Sequence, residues 1–139
     1  MRRKGFTLVE IIAVISILAI LLLVTVPLVN GIIKNSKLKA FRVTAEGIVE
    51  AARIYNTENG YNAIGSEEFD VLDKNLSYEN KSQILEGFVC YIGNKYVIYI
   101  KSENYCAYNN PFNGMTNIEA YEIDDDECEI PYTACNTEA

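Results

Sequence analysis

From Ile11 to Val29 the chain runs 19 residues without a charge, interrupted only by Ser16, Thr25 and Pro27 in an Ile/Leu/Val/Ala background. As a helix rising about 1.5 Å per residue, such a run reaches about 28 Å. The hydrocarbon core of a bilayer is about 30 Å thick, so the segment is long enough to span it. A secretory signal peptide has a shorter apolar region followed by a small-residue cleavage site. Here the run is longer and no Ala-x-Ala follows it. A plain single-pass anchor accounts for the length but gives no purpose to Glu10, an acid placed against the apolar rod formed by Phe6–Val9 and Ile11–Val29. A carboxylate at depth in a membrane helix costs about 2.5–3.5 kcal/mol on insertion scales, less near an interface, so a partner for it is favoured.

The charge divides the chain. Residues 1–45 carry +6 and residues 46–139 carry −13, within a total of −7. A basic, apolar front is joined to an acidic body. The positive-inside rule is silent, because basic residues flank both ends of the run in near-equal number. The acidic, cysteine-bearing body points to an extracytoplasmic C-terminal side. The acidic balance argues against a general nucleic-acid binder. With no His in 139 residues, His-dependent triads and His-ligated metals are excluded. No G-x-S-x-G elbow or phosphate loop occurs, so an enzyme is not expected, nor a cofactor.

The opening Arg2-Arg3-Lys4-Gly5-Phe6-Thr7-Leu8-Val9-Glu10, followed by the apolar run, resembles the prepilin leader of type IV pilins and pseudopilins. The match is close over residues 1 to about 30 and looser to about 55. The resemblance implies cleavage between Gly5 and Phe6 by a prepilin peptidase, N-methylation of Phe6, and pairing of Glu10 with the N-terminal amine of a neighbouring subunit. Physics supports that pairing, since a cation and an acid left in an apolar bundle each offset part of the other's desolvation cost. It further implies membrane lipid as the first environment, then a homo- or hetero-oligomeric filament built with other pilins by a membrane assembly machinery. The precursor would sit in the cytoplasmic membrane and the filament outside the cell.

Pro27 and Asn30-Gly31 weaken the helix locally, and Pro27 is the expected kink. Beyond it Leu38, Phe41, Ala45, Ile48, Ala52 and Tyr55 recur at helical spacing, widened by Val49, which makes an amphipathic helix over 32–56. Arg42–Glu46 and Glu50–Arg53 are spaced as exposed ion pairs. Asn59-Gly60 is a stop signal. Residues 57–83 read as a polar connector in which Ser66, Glu67 and Glu68 could open a short helix reaching about Leu72. Phe88–Ile92 and Tyr96–Ile100 around Gly93-Asn94 read as a two-residue-turn hairpin. Further strands are expected near Tyr105–Tyr108 and Ile118–Ile123, with Asn109–Gly114 as a turn-rich loop. The expected fold is α+β and type IV pilin-like: leader 1–5, apolar assembly half 6–30, and a body 31–139 in which the helix packs on a small antiparallel sheet formed within 84–139.

Cys90, Cys106, Cys128 and Cys135 lie in the body with no C-x-x-C, which favours disulfides in an extracytoplasmic domain. Four cysteines allow three pairings. Cys128 with Cys135 closes an easy loop around Pro131 and leaves Cys90 with Cys106, although a simple meander would separate those two. The run Asp124-Asp125-Asp126-Glu127 offers hard oxygen ligands for calcium, as in some pseudopilins, but lacks EF-hand spacing, and a solvated loop is the plainer reading. Three functions compete: a pilus subunit for adhesion, motility or DNA uptake; a pseudopilin of a type II secretion or competence apparatus; and a membrane-anchored binding domain.

Overall fold

The computed structural model describes residues 5–60, 63–112, 114–123, 128 and 135. One helix, α1 (Leu8–Asn59), is followed by five strands: β1 (Phe69–Asp70), β2 (Glu86–Ile92), β3 (Lys95–Lys101), β4 (Tyr105–Asn110) and β5 (Met115–Glu122). A single 3-10 turn, Lys81–Gln83, precedes β2. The chain divides into two compact units, Met1–Ser36 and Lys37–Ala139.

In the first unit the helix runs unbroken through Pro27 and Gly31. Ser16 Oγ donates to Ile12 O and Thr25 Oγ1 to Leu21 O, each at 2.7 Å. Both hydroxyls of the apolar run are thereby satisfied within the helix itself, as a lipid environment demands.

In the second unit the amphipathic stripe does what its spacing requires. Phe41, Ala45, Ile48, Ala51 and Ala52 are buried, and they share one core with Val89, Ile98, Ile100, Ala107 and Ile118 of the sheet. Burying a Phe or Ile side chain contributes about 1.5–3 kcal/mol, so this stripe fixes the helix on the sheet. Arg42–Glu46 and Arg53–Glu50 form on the exposed side at 3.0 and 3.4 Å. The helix ends at Asn59, and Gly60 follows with φ 105°, a conformation that a Cβ disfavours.

The sheet is an antiparallel meander in the order β1-β2-β3-β4-β5. Gly93 and Asn94, both with positive φ, join β2 to β3, which is the two-residue hairpin turn that matches strand twist. The segment expected as a helix from Ser66 to Leu72 instead contains β1. Phe69 and Asp70 pair with Val89 and Phe88, and the Phe69 ring packs 5.4 Å from Tyr55. The open edge of β2 and an apolar site on α1 outweigh the local capping preference there. Asp70 and Asp73 then accept the N–H groups of Leu72 and Asn75 in side-chain-closed turns, each at 2.8 Å. The expected loop Asn109–Gly114 is shorter than its composition suggests, because Asn109 and Asn110 belong to β4. Buried Asn109 accepts from Ile98 N at 2.9 Å and donates to Tyr96 O at 3.1 Å, so its side chain takes the place of a backbone partner for β3.

Candidate functional site

The N-terminal segment is built around a short non-helical stretch. Gly5, Phe6 and Thr7 precede the helix and are exposed, so the Gly5–Phe6 bond lies in accessible, unwound chain. Thr7 caps the helix and Glu10 answers it. Thr7 N and Thr7 Oγ1 both donate to Glu10 Oε2, at 2.8 and 3.0 Å, and Glu10 N donates to Thr7 Oγ1 at 3.3 Å. This is a reciprocal capping box, Thr-x-x-Glu, which satisfies two otherwise orphaned N–H groups at the helix start. Sequence reasoning passed over Thr7, although the Thr-x-x-Glu spacing carried the signal. The contacts made by the Glu10 carboxylate to Thr7 fall on Oε2, leaving Oε1 directed to no described group.

Behind the cap the helix is apolar on all sides and lies uncovered. Phe6 is 84% exposed and Leu23 78%, and every large apolar side chain from Leu8 to Ile33 is exposed. A helix of this kind is stable only where lipid or other helices replace water. It is long and apolar enough to cross a membrane.

The body carries two disulfides, and neither is the pairing the short C-terminal loop suggested. Cys90 joins Cys135 and Cys106 joins Cys128, with Cα–Cα distances of 6.1 and 6.2 Å. The meander explains the correction. Cys106 stands opposite Lys101 of β3, which stands opposite Glu86 of β2. Cys90 is therefore two strand spacings and four residues away, roughly 16 Å, well beyond disulfide reach. The register puts Cys90 and Cys106 on the sheet face opposite α1. There Cys90 and Cys135 pack with Val97, Phe88 and Ile92 in a second small core.

The acidic run Asp124, Asp125, Asp126 lies outside the described residues. Among the described residues no group of carboxylates or cysteines is arranged to hold a metal ion. Three tyrosines are perturbed. Burial pushes Tyr78 up to about 12, with nearby Asp70 adding to the effect. Tyr99 is raised by burial and then by Glu86. Tyr121 is raised first by its hydrogen bond to Glu119. Each is a phenol kept neutral by its surroundings.

The family model for the prokaryotic N-terminal methylation motif matches residues 1–26. Neither a curated protein nor a solved structure matches the chain significantly. The matched motif is characteristic of type IV pilins and pseudopilins, whose members are generally non-enzymatic structural subunits, and it implies processing by prepilin peptidase. With a long apolar N-terminal helix, a five-stranded antiparallel sheet and two disulfides, the chain is a type IV pilin- or pseudopilin-like protein of α+β fold.

Proposed function

We propose that this chain is a structural subunit of a type IV pilus-like filament, held in the membrane as a precursor and assembled through its apolar N-terminal helix. The observation that carries the reading is the uncovered helix behind the Thr7–Glu10 cap. That surface needs lipid before assembly and neighbouring helices after it.

Each N-terminal residue then has a role. Prepilin peptidase cuts between Gly5 and Phe6, in exposed non-helical chain. The cut removes the three leader cations and leaves a side-chain charge of −10. Phe6 becomes the N-terminus and is N-methylated. Its amine is a cation one helical turn from Glu10. In the filament the amine of one subunit meets Glu10 of a neighbour, through the carboxylate oxygen that Thr7 leaves open. Such a pair fixes axial register, because losing either member strands the other in an apolar bundle. Pro27 has no N–H to donate to the preceding turn, and it is the point where the helix bends or loosens as subunits pack. The body lies outside the cytoplasm, where disulfides persist, and its acidic surface faces solvent.

Intact-mass analysis and N-terminal sequencing of the protein from its native cells test this reading. The expected chain begins at Phe6, one methyl heavier, with two hydrogens missing for each disulfide. A chain that retains Met1 where prepilin peptidase is active would overturn it.

A further inference from the structure

Viewed down α1, the residues 37–59 present three stripes about 120° apart at 100° per residue. One is the core stripe of Phe41 and Ile48. A second bears Arg42, Glu46 and Arg53, beside Lys95 and Pro111 from the two adjoining strand turns. The third carries Ala40, Val43, Gly47 and Ile54. With the connector at Ser77–Asn80 it forms an apolar groove of about 520 Å³. Val43 is 63% exposed in this groove and Ile54 51%. A Cβ added at Gly47 would meet nothing within 4 Å, so the groove floor is open. Exposed Glu79 stands on its rim, with no cationic partner among the described residues.

The opposite flank carries a matching projection. Phe112 is 42% exposed at the β4–β5 turn. Its backbone is held by a hydrogen bond from Phe112 N to Asn110 Oδ1 at 3.0 Å. Lys95 Nζ lies 5.6 Å over its ring and donates to Pro111 O at 3.4 Å. No carboxylate among the described residues pairs with Lys95, although residues 46–139 carry −13. One flank thus offers an aromatic knob topped by a cation, and the other an apolar groove rimmed by an acid.

We infer that a second copy of this chain occupies the groove: Phe112 of one body inserts between Val43 and Ile54 of the next, and Lys95 meets Glu79 across the contact. The inference rests on the filament reading and adds the body-to-body contact to it. Knob and groove lie on different flanks, so the contact is heterologous and propagates instead of closing into a symmetric dimer. It also sets a local attraction inside the general repulsion between acidic bodies. That attraction selects which flanks meet.

The test uses the full chain expressed in its native cells with a photo-crosslinking phenylalanine analogue at position 112. The expected result is a ladder of cross-linked species whose cross-links map to residues 40–54 or 77–80. Gly47→Leu projects into the groove from a position where an added Cβ meets nothing within 4 Å, and should lower that yield at least tenfold. Lys95→Glu and Glu79→Lys should each lower it, and the two together should restore it. General repulsion alone predicts the opposite for Glu79→Lys, which reduces the net charge. Filaments of chains beginning at Phe6 that cross-link elsewhere or not at all would overturn this contact and leave the filament reading standing. Chains that retain Met1 and form neither filaments nor cross-links would overturn both.

Discussion

Asn56 grips Ile64 at both of its backbone groups: Ile64 N donates to Asn56 Oδ1 at 2.6 Å, and Asn56 Nδ2 donates to Ile64 O at 3.2 Å. The same amide donates to Tyr96 Oη at 3.1 Å. Asn56 is 4% exposed and Ile64 fully buried. The last turn of α1 is thereby tied to the connector and to β3 through one side chain. A buried polar group left without its partner costs about 1–3 kcal/mol. Asn56→Leu strands two such groups on Ile64, so unfolding free energy should fall by about 3 kcal/mol. Urea unfolding of the full chain in detergent, with disulfides intact, measures this, and an unchanged midpoint would refute it.

The disulfides nest, with Cys106–Cys128 enclosed by Cys90–Cys135. Their sequence separations are 22 and 45 residues. On the chain-entropy account these loops correspond to about 3 and about 4 kcal/mol of stabilisation. Peptide mapping without reduction should recover Cys90 linked to Cys135. Cys90→Ser should therefore free the thiol of Cys135 and leave the Cys106–Cys128 bond intact. Labelling of Cys106 in that variant would contradict the pairing.

Tyr78 gives the body an alkaline limit. Its hydroxyl donates to Val71 O at 3.0 Å, and burial holds its pKa at about 12, above the usual 10. The neutral form is favoured in the folded state. Its contribution to stability is complete below pH 10 and is lost as pH rises from 10 through about 12. Tyr99 and Tyr121 are raised in the same direction. Stability should fall across that window, and Tyr78→Phe should flatten part of the fall. A titration followed by phenolate absorbance, alongside unfolding midpoints at each pH, checks both statements.

The elements with strong periodicity were legible from residues alone. The 3–4 spacing from Leu38 to Tyr55 gave the buried helix face, and the Gly93-Asn94 turn gave the hairpin with its side-chain alternation. What escaped was set by contacts distant in sequence. β1 has two residues, too few for any period, and exists because β2 has an open edge and Tyr55 has room for Phe69. Asn56 and Asn109 read as ordinary polar residues, and only the fold places unpaired backbone groups beside them. Strand order separates Cys90 from Cys106 and so excludes the pairing that the easy Cys128–Cys135 loop suggested. At the N-terminus the basic leader, Gly5, Phe6 and Glu10 stood out by type and position, whereas Thr7 matters through its geometry with Glu10.

That geometry separates two properties of Glu10 that a deletion would confound. Gln can replace Glu in a capping box, so Glu10→Gln keeps the helix start while removing the charge. Thr7→Val does the reverse: it weakens the cap, by about 1 kcal/mol, and keeps the carboxylate. If Glu10 acts in assembly as the partner of a neighbour's N-terminal amine, Glu10→Gln should be processed normally to begin at Phe6 and yet form at least tenfold less filament. Thr7→Val should assemble within a few-fold of the unaltered chain. The comparison is read from N-terminal mass and from the amount of sheared filament in each strain. Equal losses in both variants would assign Glu10 to capping alone and remove its role in subunit pairing.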